Sequence, residues 1–152
     1  MASRRTFEDL VAIMDRLRDP GGCPWDREQT YATLRGYLIE ECYEVVDALD
    51  RADLPALGEE LGDLLFQVVF LARLAAEDRA FEASDVVEGI AAKMVRRHPH
   101  VFGEDTATNS AEVLVRWEEI KKTEKEDAGI SAADASVLSG IPPALPPLVK
   151  AQ

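Results

Sequence analysis

The 152 residues are enough for one domain with a modest core, and a composition of 47% hydrophobic and 30% charged residues argues against a disordered chain. A formal net charge of -12 argues against a nucleic-acid-binding protein, which needs a basic surface. No apolar run reaches the roughly 20 residues of a membrane helix. The cysteines Cys23 and Cys42 suggest no disulfide framework, so we expect a cytoplasmic protein that binds neither nucleic acid nor membrane.

Apolar residues recur at helical spacing and no run alternates between apolar and polar residues, so we predict an all-α fold. We expect a first helix over residues 7–18, which the segment Asp19–Pro24 ends. Longer helices follow over residues 30–50 and 56–77. The residues expected to face the core are Leu10, Ile13, Met14 and Leu17 in the first helix, Leu34, Leu38, Cys42, Val45 and Leu49 in the second, and Leu57, Leu61, Leu64, Leu65, Val68 and Ala72 in the third.

Weaker signals place two further helices and a tail in the second half of the chain. Ser84 is a candidate N-cap for a fourth helix that ends near Arg97, before Pro99. Asn109 or Ser110 is a candidate cap for a fifth helix over residues 111–127. Four of the eight prolines fall after residue 140. We therefore predict a folded domain over residues 1–127 and a flexible Pro-rich tail over residues 128–152, either naturally short or truncated.

The second and third helices are joined by a short turn, so we expect them to form an antiparallel hairpin. One hairpin alone cannot bury apolar residues on both of its faces. Two hairpins from two subunits would close a four-helix bundle, and we therefore predict a homodimer or a higher homo-oligomer.

Carboxylates cluster on this hairpin. Glu41 and Glu44 are three residues apart, as are Glu60 and Asp63, so each pair shares one face of its helix. Glu41 also falls within the apolar stripe of its helix, which directs its carboxylate toward the bundle interior. Paired carboxylates that face the core and have no basic side chain beside them favour a metal site over a solvated surface.

The surrounding charges lack the usual compensation. Between residues 36 and 72 the chain has nine acids and one base, Arg51. A hard divalent cation would offset this repulsion, and an all-oxygen ligand set favours Mg²⁺ or Mn²⁺ over zinc. A di-iron carboxylate site is disfavoured because neither His98 nor His100 stands in a Glu-x-x-His pair. An ordinary solvated acidic helix face remains the alternative.

A basic cluster follows the hairpin. Lys93 and Arg97 are four residues apart on one helix face, and their side chains suit phosphate oxygens. Trp117 and Lys121 have the same spacing, so an indole could stack on a base while the ammonium reaches phosphate. The alternatives are a core role for Trp117, a helix-dipole role for Arg96, and surface ion pairs of Lys122 and Lys125 with neighbouring glutamates.

Together these residues resemble the MazG nucleoside triphosphate pyrophosphohydrolase family. The acidic pattern alone is shared with dimeric dUTPases and phosphoribosyl-ATP pyrophosphohydrolases, whereas the Cys-Pro-Trp-Asp and His-Pro-His-Val-Phe motifs are more specific to MazG. The matching blocks lie between residues 7 and 126, at residues 22–26, 40–47, 60–70, 96–102 and 117–121.

The resemblance implies a dimeric four-helix bundle that binds Mg²⁺. By matched position, the metal ligands would be Glu41, Glu44, Glu60 and Asp63. Glu40 would be a further ligand or the base that orients water, and the residues that handle substrate would be Lys93, Arg97, Trp117 and Lys121.

The implied reaction converts a nucleoside triphosphate or deoxynucleoside triphosphate and water into the monophosphate and pyrophosphate. A metal-activated water, oriented by Glu40 or Glu41, would attack the α-phosphorus, and Lys93, Arg97 and Lys121 would stabilise the leaving pyrophosphate. Such an enzyme would control nucleotide pools or remove noncanonical nucleotides. The alternatives are a dUTPase-like or phosphoribosyl-ATP pyrophosphohydrolase-like specialist, and a non-enzymatic helical interaction module.

Overall fold

The computed structural model describes residues 4–127 and residue 129. The described residues form helices and contain no strand, which confirms the predicted all-α class. None of these helices is long and apolar enough to cross a membrane. The prediction of a flexible tail falls almost wholly outside the described residues and stays a prediction. The helices are α1 (Phe7–Arg18), α2 (Pro24–Glu28), α3 (Tyr31–Asp50), α4 (Leu54–Glu77), α5 (Ala83–Arg97), α6 (Pro99–Phe102) and α7 (Ser110–Asp127).

The described residues divide into two compact units, one that ends at Ala91 and one that begins at Ala92, so the boundary between them falls within α5. The first unit contains α1 to α4. The second contains the end of α5 together with α6 and α7.

Local hydrogen bonds set the ends of α1, whose bounds match the prediction. Thr6 forms a capping box with Asp9, in which each side chain accepts from the other residue's backbone N–H, at 3.3 and 2.8 Å. At the other end, the Cys23 N–H donates to the Leu17 carbonyl at 2.8 Å and folds the chain back. This return needs glycine at Gly22, because a Cβ there would lie 2.2 Å from the Leu17 oxygen.

The predicted hairpin consists of α3 and α4, which pack along each other after a three-residue turn. Thr30 caps α3, and its hydroxyl accepts from the Thr33 N–H at 3.3 Å. Asp53 caps α4 by accepting from the Ala56 N–H at 3.2 Å. These caps place the carboxylates near the middle of α3 and within the first half of α4.

The core of the first unit lies among α1, α3 and α4. Its buried cluster is Met14, Leu34, Val69, Phe70 and Leu74, with Phe7, Leu10, Val11, Phe66 and Leu71 packed around it. An ion-pair network joins α1 to the end of α4: the guanidinium of Arg18 donates to Glu77 at 2.7 Å and also to the backbone oxygens of Asp26 and Gln29. The start of α3 is therefore tied to the rest of this unit.

The predicted core stripe of α4 is wrong in part. Leu61 is 49% exposed, Leu65 42% and Val68 39%, whereas Ala72 is buried as expected. In the same way Cys42 and Leu49 of α3 are exposed, and Ala48 occupies the buried position instead. The physical reason is that α4 is apolar on two faces, and spacing alone does not tell which face packs within the chain.

The second half of the chain corrects one predicted cap and confirms another. The helix α5 begins at Ala83, so Ser84 lies inside its first turn, and Asp85 accepts from the Glu82 N–H at 2.8 Å in place of the predicted serine cap. The helix ends at Arg97, before Pro99, as predicted. Asn109 caps α7 by accepting from the Glu112 N–H at 3.0 Å.

Candidate functional site

Three carboxylates from two helices converge in the first unit. Glu41 of α3 and Glu60 and Asp63 of α4 each place one oxygen within 4.8 Å of the others. Glu41 and Glu60 are half-buried and Asp63 is exposed, so the cluster lies at the edge of the packed hairpin. The spacing of three between Glu60 and Asp63 puts both on the α4 face that meets α3.

The environment of this cluster opposes negative charge. Burial, followed by the charges of Asp63 and Glu44, raises the pKa of Glu41 above its ordinary value. Burial, followed by the charges of Glu44 and Glu59, likewise raises the pKa of Glu60. Carboxylates that are held this close together are stabilised when one of them binds a proton or when a cation binds between them.

Glu44 and Glu40 occupy less central positions. Glu44 forms a side-chain hydrogen bond with Glu41, although it lies outside the group of three oxygens. Glu40 is exposed and contributes only its charge to the field at Glu41. Of the four predicted metal ligands, the structure thus brings three together and places Glu44 beside them.

No ion pair to a described basic side chain neutralises the cluster. Among the side chains that the structure describes, none of Lys or Arg forms an ion pair with any of these glutamates or with Asp63. Arg51, the one base of this stretch, pairs with Asp47 at 3.1 Å, and its charge lowers the pKa of Glu60 only as the smallest of the causes that act on it. The donor set therefore consists of oxygen atoms without an ion-pair partner, which fits a hard divalent cation such as Mg²⁺ or Mn²⁺.

Arg97 is the centre of a second cluster, in the second unit. Its guanidinium carbon lies 5.3 Å from the centre of the Trp117 ring, in a cation–π contact. The edge of His98 meets the same indole at 5.0 Å, and His98 Nδ1 lies 2.6 Å from the Met94 carbonyl oxygen. Two predicted substrate-handling residues, Arg97 and Trp117, are therefore in contact.

The two predicted lysines are arranged differently. Lys93 is exposed, and no described contact joins it to Arg97 or Trp117. Lys121 donates to Glu118 at 2.9 Å, one turn earlier on α7. Lys122 Nζ lies 3.9 Å from Glu126 Oε1, which is one of the surface ion pairs expected for this lysine.

Sequence reasoning missed two polar residues near these clusters. Glu124 of α7 forms ion pairs with both Arg96 and Arg97. Nothing in the sequence distinguishes this glutamate from the other charged residues of the same helix. Gln67 is 8% exposed, and its Oε1 has no donor among the described residues. Its signal was a polar residue inside an apolar run, four positions after Asp63 and therefore on the same helix face.

Comparisons with known proteins identify the family of this chain. A family model described as the MazG nucleotide pyrophosphohydrolase domain matches residues 29–102. A nucleoside triphosphate pyrophosphohydrolase of Escherichia coli K12 is 53% identical over 96% of this chain and 54% of its own length. A nucleoside triphosphate pyrophosphohydrolase/pyrophosphatase MazG of Thermotoga maritima is 50% identical over 78% of this chain and 45% of its own length.

The chain thus spans about half the length of these curated relatives. The crystal structure of a MazG-related protein from Thermotoga maritima superposes with a TM-score of 0.64 at 32% identity, covering 76% of this chain and 98% of that one. That likeness extends over nearly the whole of the solved chain. The chain belongs to the MazG nucleotide pyrophosphohydrolase family.

Proposed function

We propose that this chain is a Mg²⁺-dependent nucleoside triphosphate pyrophosphohydrolase, which converts a nucleoside triphosphate or deoxynucleoside triphosphate and water into the monophosphate and pyrophosphate. The observation that carries the proposal is the convergence of Glu41, Glu60 and Asp63 within 4.8 Å without a basic partner. The names of the curated relatives support the reaction type.

Four carboxylates would hold the metal, namely Glu41, Glu44, Glu60 and Asp63. When bound, Mg²⁺ supplies positive charge for the phosphate oxygens and makes a bound water more acidic. Glu40 or Glu41 would accept a proton from the attacking water and orient its oxygen toward the α-phosphorus.

Attack at the α-phosphorus forms one bond from the water oxygen and breaks the bond to the oxygen that bridges the α- and β-phosphates. Pyrophosphate leaves with additional negative charge, which Lys93, Arg97 and Lys121 would stabilise. Trp117 would contact the substrate through its indole face or edge. These roles rest on the match of position to the family and on the phosphate-binding chemistry of the side chains.

The hairpin also supports a homodimer. Its exposed apolar side chains recur at helical spacing on both helices: Ile39, Tyr43 and Val46 on α3, and Leu61, Leu65 and Val68 on α4. A second hairpin laid against this face would bury it and complete a four-helix bundle. Leu65→Glu should convert a dimer into a monomer, which light scattering after size exclusion would measure, and a wild-type monomer at micromolar concentration would contradict the assignment.

The decisive experiment identifies the products from a panel of canonical and modified nucleoside triphosphates, with and without Mg²⁺. We expect the monophosphate and pyrophosphate, in the presence of the metal only. Production of the diphosphate and inorganic phosphate would reject attack at the α-phosphorus, and activity confined to dUTP or to phosphoribosyl-ATP would assign a specialist.

The acidic site is tested by Glu41→Gln and Asp63→Asn, which should abolish turnover while far-UV circular dichroism stays unchanged. Glu88→Gln on α5 is the matched control, because it removes the same charge from an exposed position. Undiminished activity in both site variants would reject the metal-site assignment.

A further inference from the structure

Glu124 forms ion pairs with two arginines at the end of α5. Its Oε1 accepts from Arg96 Nε at 2.7 Å, and its Oε2 accepts from Arg97 Nη2 at 2.6 Å and from Arg97 Nε at 3.1 Å. Two donors along one edge of the Arg97 guanidinium therefore share one carboxylate oxygen, and Arg96 takes the other, so the Glu124 carboxylate is held by charge-assisted hydrogen bonds on both oxygens.

The pair differs from an ordinary surface ion pair in its burial. The side chain of Arg97 is 18% exposed and that of Glu124 is 22% exposed. The hydrogen bonds from Arg97 and Arg96 lower the pKa of Glu124 to about 2, so this carboxylate stays charged at any working pH. Protonation of Glu124 therefore does not break the contact near neutral pH.

Arg97 is restrained from two directions. Glu124 holds its Nε/Nη2 edge, and the Trp117 indole covers one face of the guanidinium. Trp117 and Glu124 are seven residues apart on α7, so both project from one helix face. Among the described residues none accepts a hydrogen bond from Arg97 Nη1, which leaves that edge of the fork free.

We propose that Glu124 is a positioning residue, which holds the Arg97 guanidinium over the Trp117 ring so that its Nη1 group is presented to a phosphate oxygen. This inference rests on the proposed function, because it assigns Arg97 to the phosphate chain of the substrate. Glu124 itself touches no substrate. It acts by fixing the rotamer of a side chain that otherwise has four rotatable bonds to order on binding.

Glu124→Gln is the direct test. A glutamine keeps the shape but is neutral and offers one accepting oxygen, so it cannot accept from Arg96 and Arg97 on two oxygens, and the charge-assisted bonds to Arg97 are weakened. Glu124→Asp keeps the charge and should recover part of the effect. Glu126→Gln is the matched control, since it removes a charge two residues further along α7, where Lys122 lies only at 3.9 Å.

A spectroscopic readout separates positioning from activity. In a Trp25→Phe background, Trp117 is the only tryptophan, because the chain has two. We expect Glu124→Gln to shift the Trp117 emission to longer wavelength and to increase its quenching by acrylamide, since Arg97 no longer covers the ring. Glu126→Gln should leave both quantities unchanged.

The kinetic readout is kcat/KM for the best nucleotide of the panel. We expect a loss of about tenfold or more in Glu124→Gln, mainly through KM, because a loosened arginine weakens phosphate binding in the ground state and the transition state alike. Unchanged emission and unchanged KM would overturn the proposal. A lower KM would also overturn it, since Glu124 would then compete with phosphate for Arg97.

Failure of the proposed function gives a different result. If the wild-type chain releases no pyrophosphate from any nucleotide, inorganic tripolyphosphate is titrated against the Trp117 emission. Weaker binding by Glu124→Gln than by Glu126→Gln would still support the positioning role, and equal binding would refute it.

Discussion

Glu41→Gln should stabilise the metal-free protein. The variant keeps the shape of a half-buried side chain and removes one of three carboxylates whose oxygens lie within 4.8 Å of each other. In water, two unit charges at that separation repel by about 1 kcal/mol. Glu41 faces two such neighbours, Glu60 and Asp63, and physiological salt reduces each repulsion by about half, so the substitution should gain about 1 kcal/mol.

That gain corresponds to a rise in Tm of about 2–4 °C for a chain of this length. Excess Mg²⁺ should reverse the order, because the ion at about 100 times its Kd stabilises a competent site by about 2.7 kcal/mol. The wild-type chain would then melt above Glu41→Gln. The same substitution therefore has opposite signs with and without the metal.

The pH dependence follows from the raised pKa of Glu41. A carboxyl whose pKa is higher in the folded state binds more protons there, so the stability of the wild-type protein falls as pH rises through the folded pKa. The advantage of Glu41→Gln should be full at pH 7 and should vanish below the ordinary carboxyl pKa of 4.5, where both side chains are neutral.

Differential scanning calorimetry in EDTA and in Mg²⁺, at pH 7 and at pH 4, tests all of these signs. Glu88→Gln controls for the loss of one negative charge elsewhere on the first unit. If Glu41→Gln melts below the wild-type protein in EDTA at pH 7, or if Mg²⁺ raises the Tm of both proteins equally, then repulsion in an ion-binding cluster is not what these carboxylates contribute.

Further substitutions test the frame that carries the site. Gly22→Ala should lower Tm by several degrees, because its Cβ would lie 2.2 Å from a backbone oxygen of α1. The control is Gly58→Ala, whose Cβ meets nothing within 4 Å and which should not destabilise α4. Equal Tm values for the two variants would refute the argument that the chain approaches α1 too closely at Gly22 for a Cβ. Arg18 lowers the pKa of Glu77, so the stability that Glu77→Gln removes should be present above the ordinary pKa of 4.5 and should shrink as pH falls through the lowered pKa, as urea unfolding would measure. Phe70→Ala should cost about 3–5 kcal/mol in the same assay, since the ring is 1% exposed, and a cost under 1 kcal/mol would place the core elsewhere.

Most of the helix bounds were predictable because their signals are local. The capping residues Thr30 and Asn109 and the break after Arg18 act within a few residues of chain, and the structure confirms the helices that they delimit. Ser84 is not the cap because the helix begins one residue earlier, at Ala83, and the carboxylate of Asp85 accepts from the N–H of Glu82, which precedes the helix. Local competition between neighbouring polar side chains is decided by geometry that residue type does not contain.

The predicted core failed for a different reason. Leu61, Leu65 and Val68 recur at helical spacing and looked like the buried face of α4, yet Val69 and Phe70 are the side chains that pack against α1 and α3. A helix with two apolar faces satisfies the same spacing rule with either one inward. The choice depends on which neighbouring helix covers which face.

What the sequence by itself determined is therefore the five longer helices, although not the short helices α2 and α6. It also determined the pairing of carboxylates one turn apart and the motifs that mark the family, because each depends on spacing along one chain segment. What only the tertiary structure decided is which segments meet. The approach of Glu41 to Glu60 and Asp63 requires two helices to pack in one register. The ion pair between Glu124 and Arg97 joins residues that are 27 positions apart in the chain. Such contacts arise from the packing of whole helices, and a local pattern of residues does not specify them.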